Sequence, residues 1–152
     1  KLQDLPFKIE LNQKGQVIMS PVKVYHSAFQ GKIAKLLPDA GNTLAECAVK
    51  TRKGTKVADV AWASEERFSM IANEAECPVA PEICIEVLSS ANTAAEMREK
   101  RRLFFEAGAK EVWVCDRNGK MRFFNRNKEL KSSELVAEFP KVVKISNTDL
   151  LS

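Results

Sequence analysis

The chain has 152 residues, 45% apolar and 29% charged, with 24 Lys and Arg against 20 Asp and Glu for a net charge of +4. That is the make-up of an ordinary soluble globular protein, with the length expected of one domain over residues 1–152 and enough apolar side chains for a real core. No apolar run reaches membrane-spanning length and no secretory signal is read, so a cytoplasmic location is expected, and the mild basicity permits a polyanionic partner without demanding one.

FKIELNQKGQVIM (7–19) predicts a β-hairpin turning between Asn12 and Gly15. Ser20-Pro21 then supplies an N-cap and first-turn proline for a helix in which Phe29, Ile33, Leu36 and Leu37 recur at helical spacing, ending before Pro38 and Gly41. TLAECAVKT and TKVADVAWA read as a second hairpin around Lys53-Gly54, and polar Ser64 to Ala80 as a loop with room for a helical turn. ICIEVLS is an apolar strand, followed by a helix from Thr93 to Ala107 that Gly108 closes as a C-terminal cap. EVWVCD is another apolar strand, turning at Asn118-Gly119 into KMRFFN. From Lys128 the tail alternates weakly and is expected to end in a strand and a short helix. Helices between strands predict an α/β (α+β) fold, a mixed sheet covered by helices, with a parallel crossover from Ile83 to Asp116.

Cys47, Cys77, Cys84 and Cys115 include no C-x-x-C pair, and the single histidine, His26, is remote from them in sequence. A zinc site of ordinary spacing is not expected, and reduced buried thiols are. The chain has no P-loop, no G-x-S-x-G and no dinucleotide-type glycine pattern. Trp62 and Trp113 fall in apolar strands and read as core or interface residues rather than base-stacking platforms.

Two strand interiors carry an acid where an apolar residue would fit: Glu86 within ICIEVLSS, and Asp59 within VADVAWAS. Burying an ionised carboxylate costs several kcal/mol unless a cation compensates. Taken singly, each has an ordinary explanation: Asp59 at a strand end facing water, Glu86 paired with an Arg. Taken together, a divalent cation held between them competes on even terms, since Mg²⁺ is typically bound by one or two carboxylates plus water and phosphate oxygens. Phosphodiester hydrolysis also benefits from a positive group beside the metal. Lys100 is the first candidate, because Leu103 and Phe104 lie three and four residues beyond it on the sheet-facing side of its helix. Arg98, Arg101 and Arg102 are expected to face solvent or a nucleic-acid backbone.

PEICIEVLS, a helix with an internal Lys, and then AGAKEVWVCD together resemble the Uma-type family of endonucleases, bacterial members of the PD-(D/E)xK, or restriction-endonuclease-like, superfamily. The resemblance starts at IELNQKGQVIMSP, runs through His26 and VADVAW to about Asp116, and fades in the tail. It implies a restriction-endonuclease-like mixed sheet flanked by helices. Asp59 and Glu86 become the metal-binding acids, Mg²⁺ or Mn²⁺ the cofactor, and Lys100 the motif lysine, moved from the position of Leu88 onto the following helix. His26 is a fourth candidate catalytic residue, although a locally hydrogen-bonded residue at a helix start explains it equally well. Glu10 also matches a favoured position, but an exposed strand site explains it better. Ala58 stands where the family has Pro, Glu96 where it has Asp, and the tyrosines expected near Phe104 and at Val112 are replaced.

Two functions follow. One is a metal-dependent endonuclease acting on DNA; a homodimer would let a small nuclease cut both strands. The other is a catalytically inactive DNA-binding or oligomeric module on the same fold. Convergence of Asp59, Glu86 and Lys100 on one open cleft separates the two.

Overall fold

The computed structural model describes residues 7–21 and 23–145. Strands β1 (Phe7–Leu11) and β2 (Val17–Pro21) form a separate antiparallel hairpin. Its turn is fastened by Asn12, whose Oδ1 accepts the backbone N–H groups of Lys14 and Gln16, both at 2.9 Å. The strand runs on through Ser20-Pro21, with Phe7 opposite Pro21, so the predicted N-cap and first-turn proline belong to β2. Strand pairing overrides the local helix-start signal. Helix α1 (Val24–Leu36) starts after Lys23, which makes no side-chain cap.

The main sheet has six strands in sequence order: β3 (Asn42–Thr51), β4 (Gly54–Ala63), β5 (Ile83–Val87), β6 (Glu111–Cys115), β7 (Met121–Phe124) and β8 (Glu129–Leu130). All neighbours are antiparallel except β5 and β6, the parallel pair joined by a helical crossover. That crossover is α3 (Ala94–Glu106). Thr93 Oγ1 accepts the N–H of Glu96 at its start. At its end Ala109 N–H reaches Phe104 O and Gly108 N–H reaches Phe105 O, a Schellman closure with Gly108 at φ +116°. The polar 64–80 segment holds a full short helix, α2 (Glu65–Ile71), capped by Ser64.

Two apolar clusters sandwich the sheet. Phe29 and Ile33 of α1 pack with Ile83, Ile85 and Trp113 on one face, joined by Val136, Phe139 and Val143 of the irregular tail. Ile71 of α2 and Phe104 and Phe105 of α3 cover Cys84, Val112 and Phe124 on the other. Alternation along β5 therefore sends Ile83, Ile85 and Val87 toward α1, and Cys84 toward α3. Glu86 follows Cys84 on the α3 side. All four cysteines are free thiols and buried. The short helix expected at the end of the tail lies outside the described residues.

A buried acid that the sequence reading passed over, Glu111 at 2% exposure, ties the tail down. Its carboxylate accepts Trp113 Nε1 at 2.8 Å, Ser133 Oγ at 2.7 Å, and the backbone N–H groups of Glu134 and Leu135 at 2.9 and 3.0 Å. Four donors satisfy it without a cation.

Candidate active site

Glu86 occupies the last turn of the pleat in β5, and Asp59 lies next to it on β4, just beyond the pairing of Val60 with Ile85. Backbone amides interlock the two acids. Asp59 N–H donates to Glu86 Oε2 at 3.1 Å, and Val87 N–H donates to Asp59 Oδ2 at 2.8 Å. Asp59 is 2% exposed and Glu86 4%, so neither acid faces water as a strand-end residue would.

Among the described residues, what compensates Glu86 is a pair of lysines and no arginine. Lys100 of α3 approaches Glu86 Oε1 at 2.5 Å, bonds Glu10 Oε2 at 2.6 Å and donates to the carbonyl of Val57 at 3.1 Å. Lys8 of β1 donates to Glu86 Oε1 and Oε2 at 2.9 and 3.1 Å and sits 2.9 Å from Asp59 Oδ1. The helix and the hairpin thus deliver one ammonium each to Glu86 Oε1, and the hairpin's also reaches Asp59.

Glu10, expected at an exposed strand position, is part of this cluster. Its Oε2 also accepts the N–H of Val57 at 2.7 Å, which pins β1 across β4. Lys8 and Glu10 lie two residues apart and so share one face of β1. His26, in the first turn of α1, is 4% exposed with Nε2 3.3 Å from Asp59 Oδ2. One turn further along, Gln30 Nε2 donates to the Asp59 carbonyl at 2.9 Å, so α1 grips that residue by both side chain and backbone. The four predicted residues Asp59, Glu86, Lys100 and His26 are brought together. Lys8 was missed. The one available signal was that Lys8 and Glu10 alternate in phase on a strand with an otherwise apolar face.

Electrostatics follow from this packing. Burial alone would raise the Asp59 carboxyl, but Lys8, then His26 and Lys100, outweigh it and hold it well below the usual carboxylate range. Glu10 is also lowered, Lys100 and Lys8 overcoming burial. Glu86 is raised by burial and by the neighbouring Asp59 charge, against the pull of Lys100 and Lys8. Lys8 is raised well above its ordinary value, since Asp59, Glu86 and Glu10 overcome the desolvation that would lower it. Counting carboxylates and ammonium groups alone, three (Glu10, Asp59, Glu86) face two (Lys8, Lys100), one positive charge short.

Asp59 Oδ1 and both oxygens of Glu86 already converge on a single cation, the Lys8 ammonium. Such hard oxygen donors suit Mg²⁺ or Mn²⁺, and the missing positive charge has the sign a cation would supply, so the residues fit a divalent metal in chemistry and charge. Among the described residues no group of three or more His, Cys, Asp or Glu side chains is arranged to hold a metal, so water and substrate oxygens would have to complete the shell. A cleft of about 260 Å³ reaches Glu10 and Lys100 from the surface, with Lys53, Lys56 and Asn92 along its walls.

Comparison with known proteins adds two findings. A crystal structure of "a putative nuclease belonging to DUF820" from Anabaena variabilis ATCC 29413 superimposes with a TM-score of 0.67 at 17% identity, over 91% of this chain and 86% of that one. At that identity the likeness establishes the fold, the mixed sheet with flanking helices described above. No curated protein matches. A family model described as "Uma2: Putative restriction endonuclease" matches residues 1–148, nearly the whole chain, and this protein belongs to that family.

Proposed function

We propose that the protein is a nuclease that hydrolyses DNA phosphodiester bonds with a divalent cation, Mg²⁺ or Mn²⁺, held by Asp59 and Glu86. The observation that carries this reading is the convergence, from four separate elements, of Glu10, Asp59, Glu86, Lys8 and Lys100 in one ion-paired cluster, of which Glu10 and Lys100 line a cleft. Polarisation of the scissile phosphate and acidification of water are the chemistry a divalent cation supplies in such a site.

The chain's own residues do the rest. Glu10, Glu86 and the Val57 carbonyl hold the Lys100 ammonium in place, so it can orient a water molecule and stabilise the charge that grows on phosphate. Val87 N–H and His26 fix the Asp59 carboxylate from behind. Lys56 lines the same cleft and offers positive charge to a substrate backbone, while Lys53 is paired with Glu99 at 2.9 Å. A metal held by Asp59 and Glu86 would take the place that the Lys8 ammonium occupies between them.

A second reading, an inactive DNA-binding module, draws on the same Lys8. An ammonium 2.9 Å from Asp59 and from Glu86 offsets one of the pair's two charges without any metal. One experiment separates the two readings: calorimetric titration of Mn²⁺ beside plasmid nicking, with wild type, Asp59→Asn and Lys100→Met. A nuclease binds Mn²⁺ and nicks, Asp59→Asn loses both, and Lys100→Met binds Mn²⁺ but loses at least about 10²-fold in rate. Wild type that binds no Mn²⁺ and nicks no DNA establishes the inactive module.

A further inference from the structure

Helix α3 has a second polar face. Arg98, Arg101 and Arg102 follow one another at helical spacing on the side that turns away from Lys100, opposite the hairpin turn between β7 and β8. Together they border a groove of about 710 Å³ whose far wall carries Arg126 and Lys128. Three acids also line it, but each is engaged. Glu106 is 3.1 Å from Arg52, Glu99 meets Lys53 at 2.9 Å and also Arg102, and Glu129 takes a two-pronged contact from Arg122 at 2.9 and 2.8 Å. Among the described residues no carboxylate lies within ion-pairing distance of Arg98, Arg101, Arg126 or Lys128.

These cations are also held in position. The Arg101 guanidinium stacks 3.9 Å from the centre of the Phe124 ring. Burial, with Arg122 and Arg98 close by, pushes Arg101 below its ordinary value against the pull of Glu129. Arg126 is anchored by donating to the Phe105 carbonyl at 2.7 Å. Like charges gathered and fixed without partners repel one another, and a line of phosphates relieves that repulsion. Glu99 borders both this groove and the catalytic cleft, so the two are adjacent around α3.

We infer that this groove is a backbone-binding site for nucleic acid, in which Arg98, Arg101, Arg126 and Lys128 hold phosphates of the strand beyond the one in the cleft. This rests on the nuclease reading for its occupant and adds a second place where that occupant is gripped. The contacts go to phosphate, so the groove supplies affinity without sequence preference.

The test is fluorescence anisotropy of a labelled duplex of about 20 base pairs in EDTA, where no hydrolysis occurs, over a series of salt concentrations. Removing three phosphate contacts with Arg98→Gln/Arg101→Gln/Lys128→Gln lowers the slope of log affinity against log salt by about 2–3 and weakens binding at least about tenfold. Glu106→Gln takes a negative charge out of the groove wall and tightens binding, a gain that misfolding cannot mimic. Unchanged slope and affinity in both variants overturn the groove. Wild type that nicks DNA with such unaltered variants retains the nuclease and loses the groove. Salt-sensitive binding that the triple variant abolishes, in a protein that never nicks, retains the groove and loses the catalysis.

Discussion

Glu86 is a carboxylate with two lysines beside it, and its carboxyl is nevertheless raised, because burial and Asp59 outweigh them. A group whose native pKa lies above its unfolded value gives stability that is fully present below the unfolded value and is lost as pH rises through the native one. Asp59 and Glu10, both lowered, do the reverse: their contribution is present above the ordinary carboxylate pKa and is lost as pH falls through the native values. Glu86→Gln leaves two carboxylates with two ammonium groups. In EDTA at neutral pH it should therefore melt higher than wild type, by on the order of 1 kcal/mol. The gap should close on acidification, as wild-type Glu86 takes up its proton; melts between about pH 4 and pH 8 read this directly. Lys8→Met should act oppositely. Losing its charge destabilises the metal-free protein and tightens Mn²⁺ binding about tenfold, for which a coulombic difference of ~1.4 kcal/mol is enough. Calorimetry showing unchanged Mn²⁺ affinity would mean that Lys8 and the metal do not compete.

At the scale of elements, the β1–β2 hairpin is as much part of the site as the sheet, since it carries Lys8 and Glu10. Glu10 docks it through Val57 N–H, and Gly54 gives it room. Gly54, in the β3–β4 turn, has φ +96°, and a Cβ there would come within 2.4 Å of the Asn12 and Leu11 backbone. Gly54→Ala therefore combines left-handed strain with a backbone clash, and should cost about 1–3 kcal/mol. It should also weaken Mn²⁺ binding although it touches no acid, because the hairpin must shift. Melting and calorimetry on the same variant test the coupling. Gly31, with nothing within 4 Å of an added Cβ and ordinary helical geometry, is the control: Gly31→Ala should be neutral or stabilising.

For the whole molecule, a metal that binds only the folded arrangement must stabilise it. At a hundredfold excess over Kd, Mn²⁺ should add about 2.7 kcal/mol. For a chain of this size that amounts to a rise in Tm of roughly 5–10 °C. Glu86→Gln should show no such rise. A metal held by Asp59 and Glu86 would act globally because those residues stand on the adjacent strands β4 and β5, onto which α1, α3 and the hairpin also dock. A saturating titration with no shift in Tm would place the bound Mn²⁺ away from this cluster.

The sequence by itself determined what depends on near neighbours. The β5–α3–β6 unit was legible because its apolar runs, its Thr93 cap and its Gly108 closure are local signals. Asp59 and Glu86 stood out because an acid inside an apolar strand is a local contradiction. Three things were decided by tertiary structure. Ser20-Pro21 went into β2 because pairing with β1 outcompeted a helix start. Glu10 was expected at an exposed strand position and Lys8 was not singled out; docking onto β4 sets both against the two acids. Glu111 was passed over, and only the Ser133–Leu135 segment folded against it supplies the donors that satisfy it. For the last two the partner lies far along the chain, and no local pattern records a distant charge or hydrogen-bond donor; for Ser20-Pro21 the partner is the neighbouring strand, whose pairing runs past the predicted end of the hairpin. The acids could be read from the sequence; what neutralises them could be seen only once the chain had folded.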